Sequence, residues 1–543
     1  MKKRNKALVV MLALTMVFTC GCSVGSGRKP VTDANKYLSS ANGGAGANTI
    51  DYNGTININL PLETNEFGEK ALKAVAAKYE ELHPETTVNV TPWASESYAS
   101  EVNSILMGTT VPKADIVQTY TIDSNYLPTK FVDYKSYITK NNPYDNDKWM
   151  NVLDQDAYQL SSDKSGIYNL CLSTNMSFFV YNKSIWAAAG LTESDIPTTW
   201  DQLVSVCATI KNKTSKIPIA LSGGNATSGP ISWLMNVYTD QYYRSVVEDS
   251  HAIDGDYCYN IDVDANWEYD VTDKNNDSSS KYTLNDLRFF NLVMTNRVSA
   301  SDAKFQGMLK NFQKLIPQYC QNNYASANQL QAENDFWKGD AAIIYHTGEV
   351  FNVYKEKMSQ SGFSSFEYGT FFAPPMSGNG TEAPDSTETR SVGGAVGWYG
   401  VIKKDKKQND LVMDFMMYWG SSQGQKVYYD KIAEMGAYAS GNTLVKTYEL
   451  SSSVYPGKDM DFPGLCHSNP MGNFWGGLVN TSGELTTFQL FNEYTTKVLA
   501  GSLSLTDYAN NLMTAIKSGI PDYLEKLGWR RNAWETPSTN PKL

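Results

Sequence analysis

The sequence predicts an α/β fold divided between at least two lobes. Three observations carry that expectation. Strand-like and helix-like patterns alternate from Thr55 to Val117, which is how a parallel sheet with crossover helices reads. The chain has 543 residues, more than one hydrophobic core normally organises. Hydrophobic residues make up 41% and charged residues 19%, which excludes a mainly disordered or collagen-like chain.

Residues 1–22 read as an export signal, not as structure. Lys2, Lys3, Arg4 and Lys6 give a positive start, and the apolar run Ala7–Phe18 is too short to span a bilayer comfortably. The run ends in Thr19-Cys20-Gly21-Cys22-Ser23, where small residues before a cysteine resemble a bacterial lipobox. Cys22 is the preferred lipid site because Gly21 precedes it; Cys20 is the alternative, and a plain cleaved signal is the simpler reading. Loss of the four leader charges takes the formal net charge from −11 to −15. Residues 23–49, rich in Ser, Gly, Ala and Asn without a period, read as a flexible tether.

Thr55–Leu60 alternates at period two and is expected as a strand. Phe67, Ala71, Leu72, Val75, Tyr79 and Leu82 then share one helical face, which His83-Pro84 ends. Val88 and Val90 mark a second strand, and Trp93 follows it. A helix through Tyr98, Val102, Ile105 and Leu106 leads to the short strand Asp115-Ile116-Val117. Ligands of such sheets sit beyond the carboxyl ends of strands. Here those ends are the loops Glu63–Asn65, Trp93–Glu96 and Gln118–Tyr120. Further on, Phe178–Lys183 is a strand, and Thr199 with Gln202 forms a capping box before the stripe Trp200, Leu203, Val204, Cys207 and Ile210. Trp186 and Trp200 are assigned to core packing.

Tyr242–Gln321 gathers Asp262, Asp264, Asp270, Asp273 and Asp277 among Asn and Ser. The spacing is not that of an EF-hand loop, so a solvated insertion with a polar hairpin is expected. Five cysteines lie in the body: Cys171, Cys207, Cys258, Cys320 and Cys466. Their odd number and wide spacing make no disulfide framework, and no C-x-x-C suggests zinc. Cys207 reads as a buried free thiol; one pairing among the others stays open.

The acidic balance disfavours nucleic acid, which needs a basic face to displace counterions. Four His leave little for a His-based metal site, whereas 34 Tyr and 12 Trp offer rings for stacking. P-loop, H-E-x-x-H and G-x-G-x-x-G patterns are absent; Val392–Gly397 misses the last at its first position. A carboxylate pair suited to glycoside hydrolysis depends on spacing in space, so a cell-surface carbohydrate-active enzyme is the rival reading.

Five segments in order carry a resemblance. They are Tyr181-Asn182-Lys183 through Gly190-Leu191 to Pro197–Asp201; Phe67 to Val90; Phe336-Trp337-Lys338-Gly339-Asp340-Ala341-Ala342; Tyr368-Gly369 to Pro374-Pro375; and Gly393-Gly394 to Ile402 with the helix ending Gly424-Gln425-Lys426. Together they resemble the family 1 extracellular solute-binding proteins, the maltose-binding-protein-like sugar-binding components of ABC importers. Ile343 stands where that family usually has Met.

The resemblance implies a two-lobed, periplasmic-binding-protein-like (type II) fold. Lobe one would be residues 50–165 with a return segment near 394–445. Lobe two would be 172–390 with the C-terminal helices to about 530, and the hinge would lie near Leu170–Ser173 and Val392–Ala395. It implies an oligosaccharide ligand, ABC importer permease subunits as partners, a monomer lipid-anchored outside a bacterial cell membrane, and no cofactor, metal or nucleic acid. A ligand-presenting sensor subunit shares the fold.

A pyranose binds by its apolar C–H face on an aromatic ring and by its hydroxyl rim. Trp93 follows the second strand as the family's stacking aromatic does, with Glu96 placed to take hydroxyls. Glu63 and Tyr120 end the flanking strands, and Trp233 follows the loop Ser222–Gly229. Tyr345–Glu349 occupies the place where family members often carry Gly and a stacking Trp. That Trp is missing, so His346 or Glu349 would supply hydrogen bonds instead. Trp398 lies past Gly393-Gly394, where small residues let a ligand approach the backbone, and Trp475 sits in the loop Gly472–Gly477.

Overall fold

The computed structural model describes residues 50–542, apart from 62–65, 95–96, 121, 123–125, 155–156, 159–165, 224–229, 279–280, 352–357, 359–361, 364, 456, 458–463, 467–468 and 472–486, and describes only the backbone at 66–67 and 487–492.

The predicted alternation opens the fold. Strand β1 is Gly54–Asn59, helix α1 Glu66–Leu82, β2 Thr86–Val90, α2 Tyr98–Met107 and β3 Ile116–Gln118. β1 pairs in parallel with β2 and β3, setting Ile56 beside Val88 and Ile58 beside Val90 and Ile116. The period-two residues therefore share one buried face. Along α1, Ala71, Leu72, Val75 and Tyr79 are buried, while Leu82 at its end is 46% exposed.

The second sheet starts with β4, Ser173–Asn182, followed by α3, Lys183–Ala188, and α4, Trp200–Lys213. The Thr199–Gln202 capping box forms, and Trp200, Leu203, Val206, Cys207 and Ile210 are buried on the inner stripe, with Val204 half-buried. Trp200 packs edge-on against Tyr238 at 5.0 Å and Phe312 at 5.2 Å, and its indole donates to the Asn311 carbonyl. Then come β5 (Ile217–Ala220), α5 (Pro230–Tyr242), α6 (Asp286–Met294), α7 (Ala303–Leu315) and α8 (Gln329–Trp337). Strands β6, Ala341–Thr347, and β7, Tyr368–Phe371, both run antiparallel to β4, and β5 runs parallel to β6.

The sheets are joined by β8, Gly393–Val396, and β9, Tyr399–Val401. β8 pairs antiparallel with the first four residues of β4, and β9 pairs antiparallel with β3 of the first sheet. Only Gly397 and Trp398 separate them. Helices α9, Lys406–Trp419, and α10, Ser422–Glu434, cover the first sheet; α11, Thr487–Leu499, and α12, Leu505–Lys526, belong with the second. One core gathers Ile56, Ile58, Trp149, Phe415, Leu444 and Val445; a larger one gathers Phe179, Trp200, Phe312, Leu512 and Ile516. Leu450, Val454 and Tyr455 pack with Ala71 and Tyr429, and Cys466 and Met471 then lie in the larger core. The chain therefore changes core a third time between 455 and 466.

One expectation holds only in part. Of Tyr242–Gln321, α6 and α7 are woven into the larger core through Phe289, Phe290, Phe305 and Phe312, whereas 254–278 is mostly exposed or half-buried turns, with an antiparallel bridge between His251 and Leu284 at its base. Asp264 and Asp277 are buried there because the fold supplies partners: Asp264 accepts the Asn260 and Thr283 amides, and Asp277 pairs with Arg390. Among the described residues no cluster of His, Cys, Asp or Glu suits a metal ion. The five body cysteines are all free thiols, so the pairing left open does not occur here; burial pushes the Cys207 thiol up. Among the described residues no helix is long and apolar enough to cross a membrane.

Candidate functional site

Where the two sheets meet, the ends of strands enclose a pocket of about 160 Å³. Leu60 and Pro61 close it after β1, Gln118 ends β3, and Ser173 and Asn175 lead β4. Glu349 follows β6, and Val396 and Gly397 end β8. Aromatic rings supply the remaining wall: Tyr399, Trp419, Tyr428, Tyr429 and Tyr438. Tyr399 and Trp419 lie 4.4 Å apart, and Tyr428 stands edge-on to Tyr429 at 5.1 Å.

Close backbone approach fixes this junction. The Gly348 amide donates to Asn175 Oδ1 at 3.1 Å, and a Cβ at Gly348 would lie 1.7 Å from the Ser440 carbonyl oxygen. Only glycine lets β6 run this close to the Tyr438–Gly441 loop, and that approach delivers Glu349 to the pocket. Trp398 carries φ +48°, a left-handed conformation that costs a non-glycine residue roughly 1–2 kcal/mol. Its carbonyl accepts both the Thr119 amide (2.8 Å) and the Thr119 hydroxyl (3.0 Å), and Asn169 donates to that hydroxyl at 2.8 Å. The strained residue is thus held against the carboxyl end of β3.

The nine predicted ligand contacts are distributed unevenly. Glu349 lines the pocket. Tyr120, two residues past Gln118, has its ring 6.2 Å from that of Trp398, and both are half-buried. Trp93 is half-buried beside Tyr98, ring to ring 6.0 Å, and its amide donates to the Leu60 carbonyl. Trp233 and His346 are 3% and 1% exposed, stacked edge-on at 6.1 Å behind the pocket wall, so neither has surface to offer in this conformation. Glu63, Glu96 and Trp475 lie outside the described residues, as does Cys22.

His346 instead organises charge. Its Nε2 meets Glu333 Oε1 at 3.0 Å and the Gln329 amide at 2.7 Å, and its Nδ1 meets the Thr347 carbonyl at 3.0 Å. Burial works against the imidazolium, but the Glu333 carboxylate and the Thr347 carbonyl outweigh it and raise the His346 pKa. Burial also raises Glu349, with His346 opposing it. The pocket's aromatic wall was not anticipated. The helix expected to end at Gly424-Gln425-Lys426 ends instead at Trp419, and α10 runs through that motif, so the aromatic pair Tyr428-Tyr429 within α10 was the available signal.

Residues 65–426 match the model of the bacterial extracellular solute-binding proteins, and the chain belongs to that family. It is a family of binding proteins rather than catalysts, extracytoplasmic in bacteria. No curated protein matches the chain in sequence. Many solved structures share the fold, and three illustrate it. The GacH receptor of Streptomyces glaucescens, solved unliganded and with acarbose, is 15% identical at TM-score 0.54, covering 87% of this chain and 100% of its own. A family 1 extracellular solute-binding protein of Bifidobacterium longum subsp. infantis is 13% identical at TM-score 0.52, covering 86% and 99%. Apo RafE of Streptococcus pneumoniae is 14% identical at TM-score 0.52, covering 87% and 99%; RafE is also solved with raffinose. The architecture is therefore the two-lobed, type II binding-protein fold.

Proposed function

We propose that this protein captures an oligosaccharide outside the cell between its two lobes and delivers it to the permease subunits of an ABC importer. The observation that carries the reading is the aromatic pocket where the strand ends of both sheets converge, with Glu349, Gln118 and Asn175 at its wall. Rings for the C–H faces and amides with a carboxylate for the hydroxyls are what a pyranose needs. Acarbose and raffinose, the ligands of the GacH and RafE structures, are of the same chemical class.

Trp93, Tyr120, Glu349 and Trp398 are the proposed contacts from the sequence, joined by Tyr399, Tyr428 and Tyr438; Glu63, Glu96 and Trp475 stay in the proposed set from the sequence alone. Trp233 and His346 would support Glu349 from behind. Lobe one is proposed as residues 50–165 with the return segment, and lobe two as 172–390 with the C-terminal helices. The leader and Cys22 make the mature protein a lipid-anchored monomer. Calorimetry of the soluble mature protein against a panel of plant oligosaccharides, with product analysis, tests this. Binding of an intact glycan is expected. Cleavage products would favour the carbohydrate-active enzyme, and no binding to any glycan would overturn the sugar ligand.

A further inference from the structure

The pocket has a charge character that selects among sugars. Among its described lining residues Glu349 is the one charged side chain, and no lysine or arginine faces in. Behind the wall, the His346 imidazole is already engaged by Glu333, so two carboxylates share at most one positive charge. The backbone that delivers Glu349 is fixed, because the Gly348 amide donates to Asn175 and only a glycine fits beside the Ser440 carbonyl. The other polar side chains of the lining, Gln118, Asn175, Gln425, Ser173 and Ser440, are uncharged, and the aromatic faces present negative π-density.

An uncharged sugar hydroxyl fits this lining, since it donates to the carboxylate in a charge-assisted hydrogen bond. A uronic acid does not fit. Its carboxylate would lose hydration without gaining a cation and would stand beside a like charge. We propose that Glu349 makes the pocket discriminate against acidic sugars, so that the captured glycan is neutral at this subsite. The proposal rests on the oligosaccharide reading above and narrows it.

The test pairs each neutral trisaccharide with its C6-oxidised counterpart: cellotriose with β-1,4-triglucuronate, and α-1,4-galactotriose with trigalacturonate. Calorimetry of the mature protein should find a neutral member bound at least ~10-fold more tightly than its triuronate, the ratio that 1.4 kcal/mol represents. In Glu349→Gln and Glu349→Lys that ratio should fall at least ~10-fold. Equal affinity of wild type for a neutral sugar and its triuronate would overturn the filter, independently of whether either variant folds. So would an unchanged ratio in a Glu349→Gln protein that melts like wild type. Failure of every sugar to bind would instead overturn the oligosaccharide reading, and the filter with it.

Discussion

Arg390 shows how one buried side chain can tie distant parts of the chain together. It is 1% exposed, and its guanidinium reaches Asp240, 150 residues away in sequence, and Asp277, 113 residues away. Arg244 and Asn469 also bond to Asp240, at 2.7 and 2.8 Å. α5, the Asp-rich segment and the strand entering β8 are therefore held at one point. Burial would raise the Asp240 pKa, but Arg244 and Arg390 outweigh it and hold the carboxyl well below the usual range. A depressed folded pKa contributes stability that is complete above the unfolded value, about 3.9, and is lost as pH falls through the folded one. Arg390→Met removes the cation and leaves its carboxylates buried, which costs about 3–5 kcal/mol at pH 7. Urea unfolding should show that loss at pH 7 and a smaller one at pH 5, where Asp240, left with one of its two arginines, takes up a proton more readily. A loss of under 1 kcal/mol at pH 7 would mean that the network does not hold the fold.

At the scale of elements, helix α4 carries its start signal locally. The Thr199 hydroxyl accepts the Gln202 amide, and the Gln202 side chain accepts the Thr199 amide at 3.2 Å. Thr199→Ala should cost about 1 kcal/mol. The urea midpoint should drop with the m-value unchanged, because the helix stays docked through Trp200; a shifted m-value would mean the cap also shapes the packing. Such local signals are why β1 to β3, α1, α2, β4 and α4 were legible in the sequence, for period and cap chemistry need only near neighbours. The Asp-rich segment was not legible, because what buries Asp277 is an arginine more than a hundred residues downstream. The pocket was half-legible for the same reason. Glu349 could be placed from the family resemblance and Trp398 from the crossover. Tyr428 and Tyr429 are not singled out by the sequence, because only tertiary packing turns their side of α10 towards the junction. Trp233 and His346, read as a loop aromatic and a donor, end in the interior because α5 and β6 are each buried along their whole length.

At the scale of the molecule, the two sheets communicate through few strands. The chain changes core near 171–175, again at Gly397-Trp398, and again between 455 and 466. A rotation of one sheet relative to the other has to be absorbed at those places, since the cores on either side are close-packed. Trp398, left-handed and tied to Thr119 by its carbonyl, sits at the shortest of the three. A sugar held by residues from both sheets binds the closed arrangement better than the open one, and that difference in affinity alone can shift the equilibrium. Addition of a binding oligosaccharide at 100 times its Kd should stabilise the mature protein by about 2.7 kcal/mol. Small-angle scattering should show a smaller radius of gyration under the same saturation. Thermal stabilisation without any contraction would mean that the ligand is held by a preformed pocket, and lobe closure would then have to be abandoned as the signal read by the permease.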